Sequence, residues 1–381
     1  MKIAIVCPYD FFRPGGVQVH IHDLSMELRK QGHHVTIIAP DVPRLENSKD
    51  QDVAFFGKSK SIVFNETQID VSLAWGKEYV RLKEWLAQQQ FDVIHFHTIW
   101  DPFLSFQILA LAGKSARVAT FHDTPPDTFS GRLTRKFFTL LSRFLYQWLD
   151  CITAVSQSPA GHLYRKSGHP IHICPPSIDY SRFLRIDRNN QDNELFTIVF
   201  VGRLDPRKGV FILLQAYENL KQRGEKIRLV VAGNGEQFDI LQQTIKDKNI
   251  QDVTLLGYIS EEDKYHWLSK ADVFCSPALF GESFGIVLVE AMAAGVPVVG
   301  AANSGYSTVL KNQSKYCLSI PCDPIDLAEK LKALVNDANC RQDLSEWGRK
   351  EAVQHDIKAW APKWGELYRQ AIEQRQKTNR H

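Results

Sequence analysis

The stretch FTIVFVGRLDPRKGVFILLQAYENLKQRGEKIRLVVAGNG, residues 196–235, decides the fold. It opens on an apolar run, Phe196–Val201, of the kind that forms a strand buried on both faces. A polar loop follows, Gly209–Arg223 reads as a helix, and Arg228–Ala232 is a second strand ending in Gly233-Asn234-Gly235. Strand, helix, strand implies a parallel pair with a helical crossover. Downstream, Val253–Leu256 and Val273–Ser276 read as strands, Phe284–Ala294 as a helix and Val296–Ala301 as a strand. Upstream, residues 187–194 have the polar composition of a linker. Before it runs another β/α series: a strand at Lys2–Cys7, a loop with Pro14-Gly15-Gly16, and a helix over Val17–Gln31 with Val17, Ile21, Leu24 and Leu28 on one face. Gly32 ends that helix, and strands follow at His34–Ala39, Val93–His97, Arg117–Phe121 and Ile152–Val155. Two such series predict two doubly wound α/β domains, with ligands at the carboxyl ends of the strands and in a cleft between the domains.

Composition narrows the functional classes. A chain of 381 residues that is 44% hydrophobic and 23% charged can bury real cores and is not disordered. A net charge of +3 is too small for a nucleic-acid coat. The charge is uneven, +4 over residues 1–190 and −1 over the rest, and ten of the thirteen histidines lie in the first part. The N-terminal apolar run is too short for a secretory signal, and Ala291–Ala302 is too short to span a bilayer and contains Pro297. A soluble or peripheral protein is expected. Seven cysteines without metal-type spacing suggest a reducing cytoplasm, and the closest pair, Cys317 and Cys322, reads as small buried hydrophobes.

Two segments carry chemistry. GESFGIVLVEAMAAG, residues 281–295, separates Glu282 from Glu290 by seven residues. Glu282 falls in the loop before a helix and Glu290 about two turns into it. A helix N-terminus offers unpaired N–H groups and the positive end of a dipole, which suits a phosphate, and Gly285 would let the backbone approach closely. Carboxylates beside such a phosphate can accept hydrogen bonds from sugar hydroxyls. Glu290 sits among apolar neighbours, so a buried partner is expected for it. In GRLDPRKG, residues 202–209, Arg203 and Lys208 lie on a strand-to-helix loop where both can meet one anion. Two fixed cations would stabilise a diphosphate as it leaves a sugar.

In this order and spacing the two segments resemble the retaining glycosyltransferases of family 4. The N-terminal Cys7-Pro8-Tyr9 and Pro14-Gly15-Gly16-Val17-Gln18, with residues 281–295, are most similar to the bacterial phosphatidylinositol α-mannosyltransferases. The resemblance implies a GT-B fold: two Rossmann-like α/β domains facing a central cleft. The first, residues 1–190, would bind the acceptor; the second, residues 195–359, would bind the nucleotide sugar; a helix at about 360–381 would pack back on the first. It implies that Gly16 approaches the donor diphosphate and that Arg203, Arg207 and Lys208 hold it. Glu282 would contact the transferred sugar, with Ser283, Phe284, Gly285 and Ile286 beside it, and Glu290 would take the ribose hydroxyls. Ile259, Ser260 and Lys264 match the segment that reads the base. His122 matches a histidine at the reaction centre, and Tyr9, Gln18 and Asn65 match the acceptor pocket. With Arg203, Lys208 and Glu282, His122 makes up the expected catalytic set. The implied reaction moves mannose from GDP-mannose to a lipid such as phosphatidylinositol, with no cofactor and no metal.

Two positions depart from the family pattern: Pro176-Ser177-Ile178-Asp179 replaces the usual Pro-Asn-Gly-Val-Asp, and Asp70 stands where an arginine would meet the inositol phosphate. A UDP-sugar donor with a glycan or another lipid acceptor is the alternative, and a non-catalytic sugar-binding protein is the alternative class. His95 and His97 alternate on one strand face, and a metal site there is conceivable. Residues 131–149 place Leu133, Phe137, Leu140, Phe144 and Trp148 on one helical face with four basic residues and no acid. This is the pattern of a helix on an anionic membrane, or of a core helix with a solvated basic side.

Overall fold

The computed structural model describes the chain except for Pro14 and residues 43–51, 65–66, 100–102, 126–128, 166–168, 187–193 and 380–381; for 61–64, 67–70, 129 and 130 it describes the backbone alone. Two compact units form, Met1–Ile178 with Ile357–His381, and Asp179–Asp356.

The first unit is built on eight strands: β1 Lys2–Val6, β2 His34–Asp41, β3 Val53–Phe64, β4 Thr67–Leu73, β5 Val93–His97, β6 Ala116–Phe121, β7 Cys151–Ala154 and β8 Ile171–Ile173. Their order is β4-β3-β2-β1-β5-β6-β7-β8, and every pair is parallel except β3–β4. β1 shows why its sequence is apolar without alternation. Ala4 and Val6 join the core on one face, with Phe56, Phe96 and Leu82, while Ile3 and Ile5 join the other, with Leu24 and Leu28. The helix Ile357–Thr378 closes that second face with Trp364 and Tyr368, both fully buried. It is also pinned by a buried ion pair, Arg375 Nε to Asp150 Oδ2 at 2.9 Å.

The second unit carries β9 Phe196–Val201, β10 Ile227–Ala232, β11 Val253–Gly257, β12 Val273–Ser276, β13 Val298–Ala301 and β14 Leu318–Ser319. All pairs are parallel, in the order β11-β10-β9-β12-β13-β14. In each sheet the order reverses beside one strand, between β1 and β5 and between β9 and β12. Crevices at the carboxyl ends of such pairs are where open α/β sheets bind ligands.

The structure differs from the sequence expectations in two places and decides a third that they left open. The units divide at Ile178–Asp179, because the short helix Tyr180–Phe183 joins the second unit, where Phe183 lies edge-on to Tyr265 at 5.3 Å. The linker residues 187–193 lie outside the described residues. An antiparallel hairpin, β3–β4, extends the first sheet where no strand was read. The helix Phe129–Leu145 turns Phe138, Leu141 and Leu145 to the core, so Leu133, Phe137, Leu140 and Phe144 face solvent at 57–68% exposure, with Trp148 beyond its end also exposed. The apolar stripe is therefore not the buried side of this helix.

Candidate functional site

In the second unit the site begins on the loop after β9. Asp205 caps a single 3-10 turn, Pro206–Lys208, by accepting from Lys208 N at 3.1 Å. Gly209 follows with φ +70°, and a Cβ there would come within 2.3 Å of the Pro277 carbonyl oxygen. Only glycine lets this loop lie against the loop after β12. The close approach delivers Arg207 and Lys208 to Glu282: Lys208 Nζ donates to Glu282 Oε1 at 2.5 Å and Arg207 Nη1 to the same oxygen at 2.8 Å. Arg207 also donates to the Gly281 carbonyl at 3.3 Å and lies 4.0 Å from Asp205. Burial would raise the Glu282 carboxyl, but Lys208 and Arg207 outweigh it and hold it down to about 2. For Lys208, burial and the neighbouring Arg207 push its ammonium down against the pull of Glu282. Two partly buried cations thus share one carboxylate oxygen, and the side they keep open to solvent can take a further anion.

After Glu282 the chain enters the helix Ile286–Ala293, whose cap, Gly285, offers no side chain to the first-turn amides. Gly285 has φ +102°, and the space a Cβ would fill is held by the Tyr306 ring, 2.6 Å away. Glu290, 4% exposed, accepts from Lys264 Nζ at 2.9 Å, and Lys264 also meets Glu261 at 2.8 Å. Burial opposes the Lys264 charge, but these two carboxylates raise its pKa.

In the first unit the carboxyl ends of β1, β5 and β6 carry Tyr9, His97 and His122. Gln18 Nε2 donates to the Asp10 carbonyl at 3.2 Å, and Gly16 opens the helix Gly16–Lys30, again with no side-chain cap. His122 Nε2 lies 2.9 Å from His97 Nδ1. Burial lowers both rings, His122 to about 3.

The family model described as glycosyl transferases group 1 matches residues 182–351, and that described as Glycosyltransferase Family 4 matches residues 14–182. A phosphatidyl-myo-inositol mannosyltransferase of Mycolicibacterium smegmatis is 32% identical over 345 residues, which cover 90% of this chain and 86% of the relative. Another from Mycobacterium leprae is 30% identical over 93% of each chain. The chain belongs to glycosyltransferase family 4. Solved structures agree on the GT-B fold: a glycosyltransferase from Rickettsia africae ESF-5 has a TM-score of 0.75 at 17% identity, covering 97% of this chain and 98% of that one. Anabaena HepE, solved with UDP and glucose, has 0.74 at 18%, covering 96% and 98%.

Within this family 4 glycosyltransferase the expected donor residues divide. Arg207, Lys208 and Glu282 converge, and Glu290 has the buried partner its setting required. Arg203 is partly buried on the same loop, and Arg207 and Lys208 close on Glu282. Lys264, expected to read the base, is engaged by Glu290 and Glu261. Ser260 is a helix cap in a reciprocal box with Asp263 and follows the partly buried Ile259. Phe284 turns its ring inward, edge-on to His355 at 5.1 Å, while Ser283 and Ile286 remain partly exposed beside Glu282. Asn65 lies outside the described residues, and of Asp70 only its place in β4, opposite Ser61, is described.

His95 is not placed to ligate a metal. Its Nδ1 meets Tyr368 Oη at 2.8 Å and its Nε2 meets Thr120 Oγ1 at 2.6 Å. Among the described residues no group of three or more His, Cys, Asp or Glu could hold a metal ion. Cys317 is buried, as read, but Cys322 is exposed, and both are free.

Two residues with no signal in the sequence brace the loop after β12 that leads to Glu282. Tyr306 Oη pairs with Ser276 Oγ at 2.7 Å, and Asn303 accepts from Tyr306 N while donating to the Ala278 carbonyl, both at 2.9 Å. Asp205 was legible as an acid before Pro206, a common start of a capped turn. Nothing local marks Tyr306 or Asn303.

Proposed function

We propose that this enzyme transfers mannose from GDP-mannose to phosphatidylinositol or a similar lipid, with retention at the anomeric carbon. The observation that carries this reading is the Glu282 carboxylate shared by Lys208 and Arg207 at the β9–β12 crevice. It sets an acceptor for sugar hydroxyls beside cations for a diphosphate. The relatives named as phosphatidyl-myo-inositol mannosyltransferases support the sugar and the acceptor.

In the proposed reaction the bond from C1 to the phosphate oxygen breaks as the acceptor hydroxyl oxygen bonds to C1 on the same face. The hydroxyl proton passes to the departing diphosphate. Lys208, Arg207 and Arg203, with the first-turn amides of the helix Ile286–Ala293, meet the charge that develops there, so no bound metal is called for. Glu282 orients the sugar and Glu290 the ribose, and His122, by its match to the family's reaction-centre histidine, also meets the sugar.

A lipid acceptor calls for contact with a membrane. Among the described residues no helix is long and apolar enough to cross one. The exposed stripe Leu133, Phe137, Leu140 and Phe144 is flanked by exposed Arg132, Lys136 and Arg143. An apolar face beside cations suits peripheral binding to an anionic leaflet on the cytoplasmic side.

The test is product analysis with labelled GDP-mannose and phosphatidylinositol vesicles, run beside UDP-glucose and diacylglycerol. A mannosylated phosphatidylinositol is expected. Transfer from UDP-glucose alone overturns the donor, and transfer to diacylglycerol or a glycan alone overturns the acceptor. Asp70, which stands where the family pattern has an arginine, is the sequence departure that the diacylglycerol and glycan arms address.

A further inference from the structure

Four histidines of the first unit form one cluster, in which His20, His95 and His97 are buried and His122 is partly exposed. Ring centroids are 4.2 Å apart for His95–His97, 5.1 Å for His97–His122 and 5.6 Å for His20–His97. Each hydrogen bond in the cluster needs one proton, and the protein groups at its edges fix where the protons lie.

Thr153 Oγ1 donates to the Ala119 carbonyl at 3.3 Å, an oxygen that can only accept. The 2.6 Å contact between the Thr120 and Thr153 hydroxyls can use either proton, and it uses that of Thr120 when Thr153 keeps its bond to Ala119. In that arrangement Thr120 Oγ1 has no proton left for His95 Nε2, and His95 donates from Nε2 and accepts at Nδ1 from the Tyr368 hydroxyl. His20 is fixed from another side: the Ser177 backbone N–H donates to its Nδ1 at 3.2 Å, which puts its proton on Nε2. That nitrogen is buried and has no hydrogen-bond partner among the described residues.

His97 and His122 share one hydrogen bond, and with both rings neutral two arrangements exist. If His122 Nε2 donates, His97 carries its proton on Nε2, which is buried without a partner among the described residues. That would be a second stranded N–H beside His20, and a stranded buried donor is the rarer and costlier state. If His97 Nδ1 donates, only a lone pair is stranded.

We propose that His97 is a positioning residue whose Nδ1–H donates to His122 Nε2, so that His122 carries its own proton on Nδ1. Nδ1 is then a donor for a sugar oxygen and cannot accept a proton from the acceptor hydroxyl. The inference rests on the reading that His122 meets the transferred sugar. It assigns His122 to orientation and leaves proton removal to the departing diphosphate. Other groups facing the cluster include Tyr368, Trp364, Thr120, Thr153, Ser177 and Asp23, and the Asp23 carboxylate pairs with His22 at 3.1 Å.

Histidine-selective 15N NMR on the full chain tests the tautomer directly, with the His122 signals assigned by His122→Gln. Protonation at Nδ1 is expected in the wild type, and protonation at Nε2 overturns the proposal whatever the variants do. His97→Phe keeps a ring and removes the donor. It should release the tautomer of His122 and lower kcat roughly 10- to 100-fold with the donor KM little changed. His97→Asn, which restores an N–H near Nδ1, should recover the tautomer and most of the rate. An unchanged His122 tautomer in His97→Phe also overturns the proposal. A changed tautomer with unchanged transfer supports the positioning and removes His122 from the reacting centre, so the two readings fail separately.

Discussion

At Glu282 one carboxylate oxygen receives both Lys208 and Arg207 while the side chain is almost wholly buried. Replacing it by glutamine leaves two partly buried cations without their anion. The expected cost is about 3 kcal/mol of stability by chemical denaturation. Turnover should fall by roughly 100-fold or more, because the sugar loses its acceptor and the cations lose their placement. The sign of the acid response follows from the depressed pKa. The folded-state value of about 2 lies below the unbonded value of 4.5, so the contribution is whole above pH 4.5 and is lost as pH falls toward 2. Glu282→Gln should flatten that part of the stability curve. The spacing of Glu282 and Glu290 and the basic loop before Gly209 were legible because they are local and chemically conspicuous. Tyr306 and Asn303 were not. Their contacts reach back 25–30 residues in sequence, and an aromatic in a loop carries no sign of the hydroxyl it will meet.

Elements that repeat one periodicity were the legible ones. β1, β9 and the helix Gly16–Lys30 announce themselves, as an unbroken apolar run or a three-four spacing. The hairpin β3–β4 was hidden because Gly57, Lys58 and Lys60 interrupt its apolar pattern. The helix Phe129–Leu145 was legible as amphipathic but ambiguous about its sides, since either face could have met the core. Packing settles it: Phe138, Leu141 and Leu145 turn inward, and the larger stripe is left outside. Replacing Leu133, Phe137 and Leu140 by serine should therefore leave folding stability within about 0.5 kcal/mol per site, as for other surface changes. The same variant should lose flotation with anionic vesicles. Retained flotation would show that this helix is not the membrane contact. The helix Ile357–Thr378 presents the opposite case. Arg375→Met strands the buried Asp150 carboxylate, whose pKa burial already raises, and should cost about 3–5 kcal/mol.

At the scale of the whole molecule the two units carry different titratable interiors. The first holds the histidine cluster, where burial lowers His20 to about 4 and His122 to about 3 and holds His95 and His97 well below their ordinary value. The second has one such ring, His355, lowered by burial to about 4. A histidine with a depressed folded-state pKa stabilises fully above 6.5, and its contribution drains away as pH falls below that, because the unfolded chain takes up the proton first. The acidic loss at Glu282 begins only below pH 4.5. Between pH 7 and 5 the first unit should therefore lose much more stability than the second. Calorimetry at pH 7, 6 and 5 reads this as a transition that moves down steeply and one that holds nearly still. Adding GDP identifies the second unit, since a ligand bound to the folded form raises the transition of the unit that binds it. A nucleotide-sensitive transition that falls faster with acid than the other would contradict this assignment. Replacing His20 with glutamine should shallow the slope of the first unit and leave the nucleotide-sensitive transition where it was.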